Sequence, residues 1–426
     1  KIEKAACLEI CFFDFSADCY RKVQLAEKER EMKLTEETPF FFIYSVWTKN
    51  GEYREQVKRL VTDYDNYISL KLAGDDAYLS EKMVGYPAEL DEVYAESFEE
   101  QKKEWFSCVG DGIQECRNTW EHKKWNITDF PEFELAITID RPELYYDFLQ
   151  KDWTRFCHDY WKNSFLEHHT LSQKRVTRIY IGNQFCHNLF PKKKLLFQVL
   201  EKALENNLAV TLAFSYIRNH LLEEIDELLQ ELEVWCQSRE KEAGKDQEEI
   251  IVNDWAMPIL LQGKPHLKPV LGVLLNKRRK DVRLPYKHGI GNHVDSLAEN
   301  NLNCGFYQDY LKNTFDIQRF EFESCGYKVT IPDGHHSLHL PFFQTNTSQY
   351  CTLYAVCRYG DRGKQKLPEN CPRYCNKKVF LYPKHLKMVG RYNSLFGYDE
   401  KILWDEKQLQ DYLEQGIDRI VVNVSL

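Results

Sequence analysis

RIYIGN (Arg178–Asn183), PKKKLLFQVLEKALENN (Pro191–Asn207) and LAVTLAFSYI (Leu208–Ile217) follow one another along the chain and decide its fold. The first and third stretches are short and apolar, which is typical of buried strands. The middle stretch opens with a proline and then spaces its apolar residues at helical intervals. A strand, a helix and a second strand in this order predict a parallel βαβ unit.

The same alternation continues toward the C-terminus. A long helix is predicted over His220–Gly244, a third strand over Glu248–Asp254 and a fourth over Pro269–Asn276. Later predicted elements are the strands Arg319–Glu323, Tyr327–Pro332, Val379–Pro383 and Asp418–Val424 and the helix Asp405–Gly416. Repeated βαβ units imply an α/β fold, either a barrel or a doubly wound sheet. Of the two, we predict a TIM-like (β/α) barrel over residues 176–426.

Residues 1–175 have a different pattern. Predicted strands lie at Pro39–Trp47 and Phe133–Asp140, and charged helical stretches cover Tyr53–Leu72 and Ala95–Phe106. We therefore predict an additional N-terminal α+β domain over residues 1–175 that recognises a substrate or a partner. Its boundary with the barrel is expected in the polar, turn-like sequence just before residue 175.

Composition and charge limit the functional classes. The 426 residues are 43% hydrophobic, carry a formal net charge of −9 and include 14 cysteines. No run of about 18 apolar residues predicts a membrane span, and no secretory signal is visible, so we expect a cytoplasmic protein with reduced thiols. The acidic balance argues against a large nonspecific nucleic-acid surface, although a local basic pocket would still allow an RNA substrate.

Polar residues follow several predicted strands, where the active sites of parallel (β/α) barrels lie. Asn183 and Cys186 follow the first strand, and Asn253 and Asp254 follow the third. Asn253 and Asp254 either cap the next helix or take part in function, with Asp254 as a candidate catalytic group. The predicted substrate-binding residues at these strand ends are Asn253, Asn276, Lys277 and Arg278.

Four cysteines lie close together in the sequence QYCTLYAVCRYGDRGKQKLPENCPRYC. They are Cys351, Cys357, Cys371 and Cys375. Soft thiolates select zinc or iron–sulfur clusters, and four thiolates from this segment would by themselves suffice for a zinc site. The spacing alone therefore predicts a metal site without deciding the metal.

At this point the residues resemble a known family. IYIGNQFC, VNDWAMPILL, LLNKRRKD and the late pattern TSQYC…CPRYC, followed by VFLYPKHLKMVGRYNSLF, are similar to the collagenase-like "U-type" peptidase family. Its members include the oxygen-independent ubiquinone-hydroxylation factors and the enzymes that hydroxylate tRNA and 23S rRNA. The resemblance covers about residues 178–426, and the order of the motifs along the chain strengthens it.

The resemblance implies a [4Fe–4S] cluster at the barrel mouth that supports an anaerobic hydroxylation, with prephenate thought to supply the hydroxyl group in some members. The ligands carried over by motif are Cys186, Cys351, Cys371 and Cys375. This chain departs from the family pattern by a longer gap between Cys351 and Cys371, with Cys357 inside it. Cys357 is therefore an alternative to Cys351 as a ligand.

A second constellation of titratable groups precedes the late cysteines, in PDGHHSLHLPFF. His336 and His339 are candidate catalytic residues, since imidazole serves as a general acid or base near neutral pH. If the segment is a strand, His335 and His339 share one face and His336 points to the other. The predicted binding residues for an anionic substrate in the following segment are Lys384 and Arg391, with His385 and Asn393 as further candidates.

These features favour an oxygen-independent, iron–sulfur-dependent modifying enzyme of the hydroxylase type, acting on an RNA, a peptide or a small aromatic molecule. One alternative is a noncatalytic or electron-transfer partner subunit, because four protein ligands leave no iron open to substrate. Another is a protein that binds or modifies peptides. Peptidase activity is disfavoured, because no H-E-x-x-H or G-x-S-x-G motif is present. In each case we expect a protein partner or an electron donor.

Overall fold

The computed structural model describes residues 7–14, 19–37, 42–58, 94–106, 130–243, 248–278, 280, 282, 298–361, 363–364, 366–368, 370–382 and 387–424. The chain divides into two compact units. One consists of Lys1–Pro87 with Arg283–Val294, and the other of Ala88–Val282 with Asp295–Leu426.

The described part of the first unit contains two antiparallel hairpins and a helical segment. The strands are β1 (Cys7–Asp14), β2 (Cys19–Ala26), β3 (Arg30–Glu37) and β4 (Phe42–Thr48). β1 pairs with β2, and β3 pairs with β4. Residues 51–58 are helical. β4 matches the strand predicted at Pro39–Trp47, whereas most of the helix predicted over Tyr53–Leu72 lies outside the described residues.

The second unit is built around a closed parallel barrel. The strands of the whole unit, inside and outside the barrel, are β5 (Glu134–Ile139), β6 (Arg178–Gly182), β7 (Ala209–Ala213), β8 (Glu248–Val252), β9 (Leu267–Leu271), β10 (Glu321–Glu323), β11 (His336–Leu340), β12 (Phe342–Thr347), β13 (Phe380–Leu381), β14 (Met388–Arg391), β15 (Ser394–Tyr398) and β16 (Ile417–Val422). The barrel contains β5 to β11 and β16, and all neighbours are parallel. Leu271 and Phe320 form the parallel bridge that joins the two sheet edges. The predicted TIM-like (β/α) barrel is thus confirmed, together with an additional N-terminal domain.

Helices surround the barrel strands. In the described ranges they are α1 (Tyr94–Phe106), α2 (Pro142–Gln150), α3 (Trp153–Asn163), α4 (Lys193–Glu205), α5 (Leu222–Ala243), α6 (Ala256–Leu260), α7 (Gly305–Phe315), α8 (Thr352–Tyr359) and α9 (Glu406–Glu414). Local chemistry sets their starts: the Asp152 carboxylate accepts the Arg155 N–H at 2.9 Å and caps α3, and Asp405 caps α9 in the same way. None of these described helices is long and apolar enough to cross a membrane.

Strand residues alternate between the helix-covered outside and the barrel interior. Leu135 and Ile137 of β5 join the large core that the helices cover, whereas Ala136 between them points inward. The interior apolar cluster consists of Ala136, Tyr180, Ala213, Ile251, Val270 and Val421. Parallel strands buried on both faces explain why their sequences read as continuous apolar runs.

The predicted start of the barrel needs a correction. The segment Phe133–Asp140, which the sequence analysis assigned to the N-terminal domain, contains β5, and β5 pairs with both β6 and β16. The barrel therefore begins at Glu134 and not near residue 176. Two helices, α2 and α3, separate β5 from β6, so the regular strand–helix spacing that reveals the later units is broken here.

The predicted strand Tyr327–Pro332 does not form. The Thr330 N–H donates to the Ala298 carbonyl at 2.9 Å, and its own carbonyl accepts from the Asn300 side chain at 2.8 Å. These bonds to a neighbouring loop occupy the backbone groups that a sheet would need. The barrel strand is instead β11, in the histidine-containing segment.

A large insertion extends the chain between β11 and β16. It holds an antiparallel sheet of order β12-β15-β14-β13 and the helix α8. The predicted strand Val379–Pro383 is reduced to the two-residue β13 and belongs to this sheet. Because β11 ends at the carboxyl side of the barrel, the insertion begins where barrel active sites lie.

Candidate metal centre

Four cysteines from separate parts of the chain line one cavity near the C-terminal end of β6. They are Cys186, Cys351, Cys371 and Cys375. Cys186 follows β6, whereas the other three belong to the insertion between β11 and β16. The tertiary structure therefore brings together the four cysteines that the family resemblance implies as ligands.

The turn after β6 presents Cys186 to the cavity. The Asn183 carboxamide oxygen accepts the backbone N–H groups of Phe185 and Cys186, each at 2.9 Å. Asn183 itself is buried, and its amide nitrogen donates to the Asp140 carbonyl after β5 at 3.3 Å. Asn183 was noted as a strand-end residue, and its contacts show that it shapes the cysteine loop.

Cys351 lies at the N-terminus of α8. Its sulfur accepts the Tyr354 N–H at 3.3 Å, and its thiol donates to the Tyr392 carbonyl at 3.0 Å. Cys357, further along α8, is half-buried and is not part of the cavity wall. Of the two alternatives, Cys351 is the one that lies with the other three cysteines.

A tight turn carries Cys371 and Cys375. Arg373 adopts the left-handed conformation with φ of 54°, and a short 3-10 helix follows over Tyr374–Asn376. The buried Arg391 donates from Nε to the Cys375 carbonyl at 3.1 Å. Arg391 was predicted to bind substrate, and the structure places it beneath the cysteine turn, which it supports.

Burial controls the charge state of the thiols. It raises the pKa of Cys186 to about 12 and that of Cys375 to about 11, and it raises the pKa of Cys351 further. Negative charge on neighbouring cysteines raises each of these pKa values as well. These three thiols are neutral at pH 7 unless a metal displaces their protons.

The four thiols share a cavity but do not form a preformed ion site. Among the described residues, no group of three or more His, Cys, Asp or Glu side chains is arranged to hold a metal ion. The four thiols face a shared cavity instead. Iron–sulfur clusters take four cysteine thiolates around a core of several atoms, and four cysteines line this cavity.

Sequence reasoning missed the contacts that join the cysteine loops. The Asn393 amide donates to the Phe185 carbonyl at 2.9 Å, to the Ser348 carbonyl at 2.6 Å and to the Tyr216 hydroxyl at 3.1 Å. Phe185 precedes Cys186, and Ser348 lies shortly before Cys351. Asn393 was considered only as a substrate-binding candidate. It directly precedes β15, and the sequence there carries no local signal for a loop-joining role, because its partners are distant in sequence.

The candidate catalytic histidines lie on opposite faces of β11, as strand alternation predicts. The His336 ring is buried on the outer face, stacked on Phe320 with ring centroids 4.8 Å apart. Burial, helped by the charge of Arg319, lowers the pKa of His336 to about 4, so the ring is neutral at pH 7. This packed position does not support a catalytic role, and His336 is not in the cavity wall.

His339 faces the barrel interior. Its Nε2 lies 2.5 Å from a Glu321 carboxylate oxygen, and the Tyr180 hydroxyl donates to the same carboxylate at 3.1 Å. All three side chains are buried. His339 therefore belongs to a satisfied polar group inside the barrel and, like His336, does not line the cysteine cavity.

Asp254 acts as a cap in this structure. One carboxylate oxygen accepts the N–H groups of Ala256 at 3.0 Å and Met257 at 3.1 Å, at the start of α6. The other accepts the Ile217 N–H from the loop after β7. Both oxygens are thus engaged with backbone, which argues for the capping alternative.

Replacing Asp254 with Ala is expected to lower the free energy of unfolding by about 1–2 kcal/mol, the usual cost of a lost cap. Chemical denaturation measures this loss. Asp254 contacts no cysteine, and its one link to the cavity is the Ile217 N–H between the lining residues Tyr216 and Arg218. We therefore expect any metal that the wild type binds to be retained. A large loss of metal without a loss of stability would restore the functional interpretation.

The predicted substrate-binding residues at the strand ends mostly hold loops. Asn253 is buried, donates to the Phe214 carbonyl at 2.8 Å and accepts the Leu274 N–H at 3.1 Å. Asn276 is buried and donates to the Glu321 carbonyl at 3.1 Å. Neither of them lines the cysteine cavity.

The remaining predicted binding residues are scattered. Lys277 is exposed. Arg278 donates to the Cys325 sulfur at 2.8 Å and to the Glu323 carbonyl. Lys384 and His385 lie outside the described residues. Among the basic candidates that the structure describes, Lys277, Arg278 and Arg391 are not gathered into one pocket.

The opposite end of the barrel interior carries a network of buried charges. Arg419 donates from Nη1 to Glu249 and from Nε to Glu134, each at 2.6 Å. Arg178 joins the same two carboxylates. Burial alone would raise the pKa of Glu249, but the charges of Arg419 and Arg178 outweigh it and bring the pKa down to about 2. Since this network lies toward the N-terminal ends of the strands, it is a stability feature.

Acidification is expected to destabilise the barrel through Glu249. Its pKa falls from 4.5 in the unfolded chain to about 2 in the folded protein, so its contribution is complete above pH 4.5. That contribution is lost progressively as the pH falls toward 2. Thermal unfolding between pH 5 and pH 2 measures the effect. Glu249→Gln should reduce the dependence of the unfolding temperature on pH. A pH dependence equal to that of the wild type would contradict the assignment of this effect to Glu249.

Comparison of the chain with protein-family models, with curated proteins and with solved structures finds no match. The functional argument therefore depends on the site itself. Its central feature is a set of four thiols around one cavity beside the carboxyl end of a barrel strand, supported by Asn183, Arg391 and Asn393.

Proposed function

We propose that this chain is an iron–sulfur redox protein similar to the collagenase-like "U-type" peptidase family. In this proposal Cys186, Cys351, Cys371 and Cys375 hold a [4Fe–4S] cluster. The protein serves an oxygen-independent modification, of the hydroxylase type, on an RNA, a peptide or a small aromatic substrate. The observation that supports the proposal most strongly is the convergence of these four thiols on one cavity.

A bound cluster of this type supplies one-electron transfer. The chain's own residues hold it: the four cysteines coordinate, and Asn183, Arg391 and Asn393 keep the cysteine loops in position. Four protein ligands leave no coordination position for a substrate. We therefore assign the site an electron-transfer role and place the modification chemistry beside it, with electrons coming from an external donor or a partner subunit.

A second candidate function is that of an electron-transfer partner whose companion subunit carries the chemistry. The observation that favours it is that two of the predicted acid–base residues make structural contacts away from the cysteine cavity. Asp254 caps a helix, His336 is packed on Phe320, and neither lies at the cysteine cavity. A cluster-containing chain that binds its substrate in the absence of any other protein would rule out this candidate.

Anaerobic purification tests the proposal. We expect iron and acid-labile sulfide in equal amounts per chain and an electron paramagnetic resonance signal that appears on reduction with dithionite. Tightly bound zinc in place of iron would contradict the redox role. Absence of iron after anaerobic reconstitution with ferrous iron and sulfide would contradict the cluster itself.

A further inference from the structure

Arg218 is a second feature of the cysteine cavity, and nothing in the sequence pattern pointed to it. It lies in the loop after β7 and lines the same cavity as the four cysteines. Among the described residues that line this cavity, it is the single Lys or Arg. The site therefore places one permanent positive charge beside four potential thiolates.

The contacts of Arg218 leave its charge uncompensated within the described part of the chain. Its Nη2 donates to the Tyr216 hydroxyl at 3.2 Å and to the Gln349 carbonyl, both neutral groups. Its Nε is buried and has no hydrogen-bond partner among the described residues. A half-buried cation in such surroundings is costly unless an anion lies nearby.

Tyr216 connects this cation to the cysteines. The guanidinium carbon lies 5.5 Å from the centre of the Tyr216 ring. The Tyr216 hydroxyl also bonds to the Ser348 carbonyl at 3.2 Å and accepts from Asn393 at 3.1 Å. Arg218 is thus held rigidly between the loop after β7 and the segment that leads to Cys351.

A [4Fe–4S] cluster with four thiolate ligands carries net negative charge, and one-electron reduction adds to it. The reduction potential of such a cluster depends on net charge, hydrogen bonds to sulfur and exposure to solvent. A fixed cation stabilises the more negative, reduced state more than the oxidised state, because Coulomb attraction grows with charge. Its presence therefore raises the reduction potential.

We propose that Arg218 is the counter-charge of the cysteine site, a positioning residue that sets the reduction potential of the bound cluster. This inference rests on the function proposed above. The electron comes from an external one-electron donor, and no other group of the chain changes its oxidation state. Arg391, which supports the Cys375 carbonyl, acts on the backbone of the site, whereas Arg218 acts through its charge.

Redox titration of anaerobically purified protein with dithionite tests this role. Arg218→Gln keeps a hydrogen-bonding side chain but removes the charge, and we expect its potential to be more negative than that of the wild type. Arg218→Lys keeps the charge and should recover part of the difference. Lys401→Gln removes an exposed cation that does not line the cavity, and its potential should equal that of the wild type.

The outcomes separate this inference from the proposed function. If the wild-type protein binds no iron, the proposed function is refuted. If iron-loaded Arg218→Gln protein has the reduction potential of the wild type, only the role of Arg218 is refuted. If Arg218→Gln binds little iron while Arg218→Lys binds a full complement, the charge is needed to hold the cluster, which supports the counter-charge. If both variants fold, as judged by circular dichroism, but lose the cluster equally, the role is structural and the proposal fails.

Discussion

Cys371→Ala protein purified without oxygen is expected to retain only a small fraction of the iron and sulfide of the wild type. Loss of a group that merely supports a metal ligand costs about 10- to 100-fold in metal affinity, and loss of a ligand should cost at least as much. Cys371 suits this test better than Cys375, because Cys371 is half-buried whereas Cys375 is buried in the core. Iron and sulfide analysis provides the measurement, with circular dichroism to show that the fold persists.

Cys357→Ala is the matched control for this experiment. Cys357 lies on α8, in the same segment as the ligand candidate Cys351, and is half-buried but outside the cavity wall. We expect this variant to keep the iron content of the wild type. A full complement of iron in Cys371→Ala would refute the ligand assignment. Loss of iron in Cys357→Ala but not in Cys351→Ala would exchange the roles of these two residues.

Replacing Arg419 with Met is expected to lower the free energy of unfolding by about 3–5 kcal/mol, the usual cost of removing one partner of a buried ion pair. Met retains much of the apolar volume but removes the cation that lies closest to Glu249 and Glu134, with Arg178 left as their shared partner. Glu249 is nearly inaccessible to solvent, so the main penalty is its buried charge, which keeps only the longer contacts to Arg178 and Arg319. Urea denaturation followed by circular dichroism measures the loss.

Lys401→Met provides the comparison for Arg419→Met. Lys401 pairs with Asp405 at 3.4 Å, but its side chain is 52% exposed, and exposed ion pairs contribute about 0–1 kcal/mol. The same substitution should therefore have little effect there. Equal effects at the two positions would show that the barrel network contributes no more than a surface pair, which would refute the stability role.

The sequence predicted the regular part of the fold well. The helices expected at Pro191–Asn207 and Asp405–Gly416 are observed as α4 and α9, shortened by a few residues. The strand expected at Arg178–Asn183 is observed as β6. These elements have strong apolar periodicity, and that periodicity arises from local backbone geometry, which a single stretch of sequence contains.

Other elements escaped prediction for identifiable reasons. The membership of β5 in the barrel depends on pairing with β16, which lies near the other end of the chain. Tyr327–Pro332 has the composition of a strand, but its backbone hydrogen bonds go to a loop. A strand-like composition shows only that a segment could fit a pleated, half-buried surface. Whether the segment pairs with another strand depends on residues elsewhere in the chain.

In the candidate site, too, the sequence predicted some features and only the tertiary structure determined the others. The cysteine types and their order along the chain predicted a thiolate metal site, and the alternation within β11 predicted that His336 and His339 face opposite ways. Only the tertiary structure distinguished Cys351 from Cys357, assigned Asp254 to capping and placed Arg218 beside the cysteines. The physical reason is the distance in sequence between the residues involved. Side-chain chemistry and strand periodicity are local properties, whereas the cavity is formed by loops that approach one another only when the barrel closes.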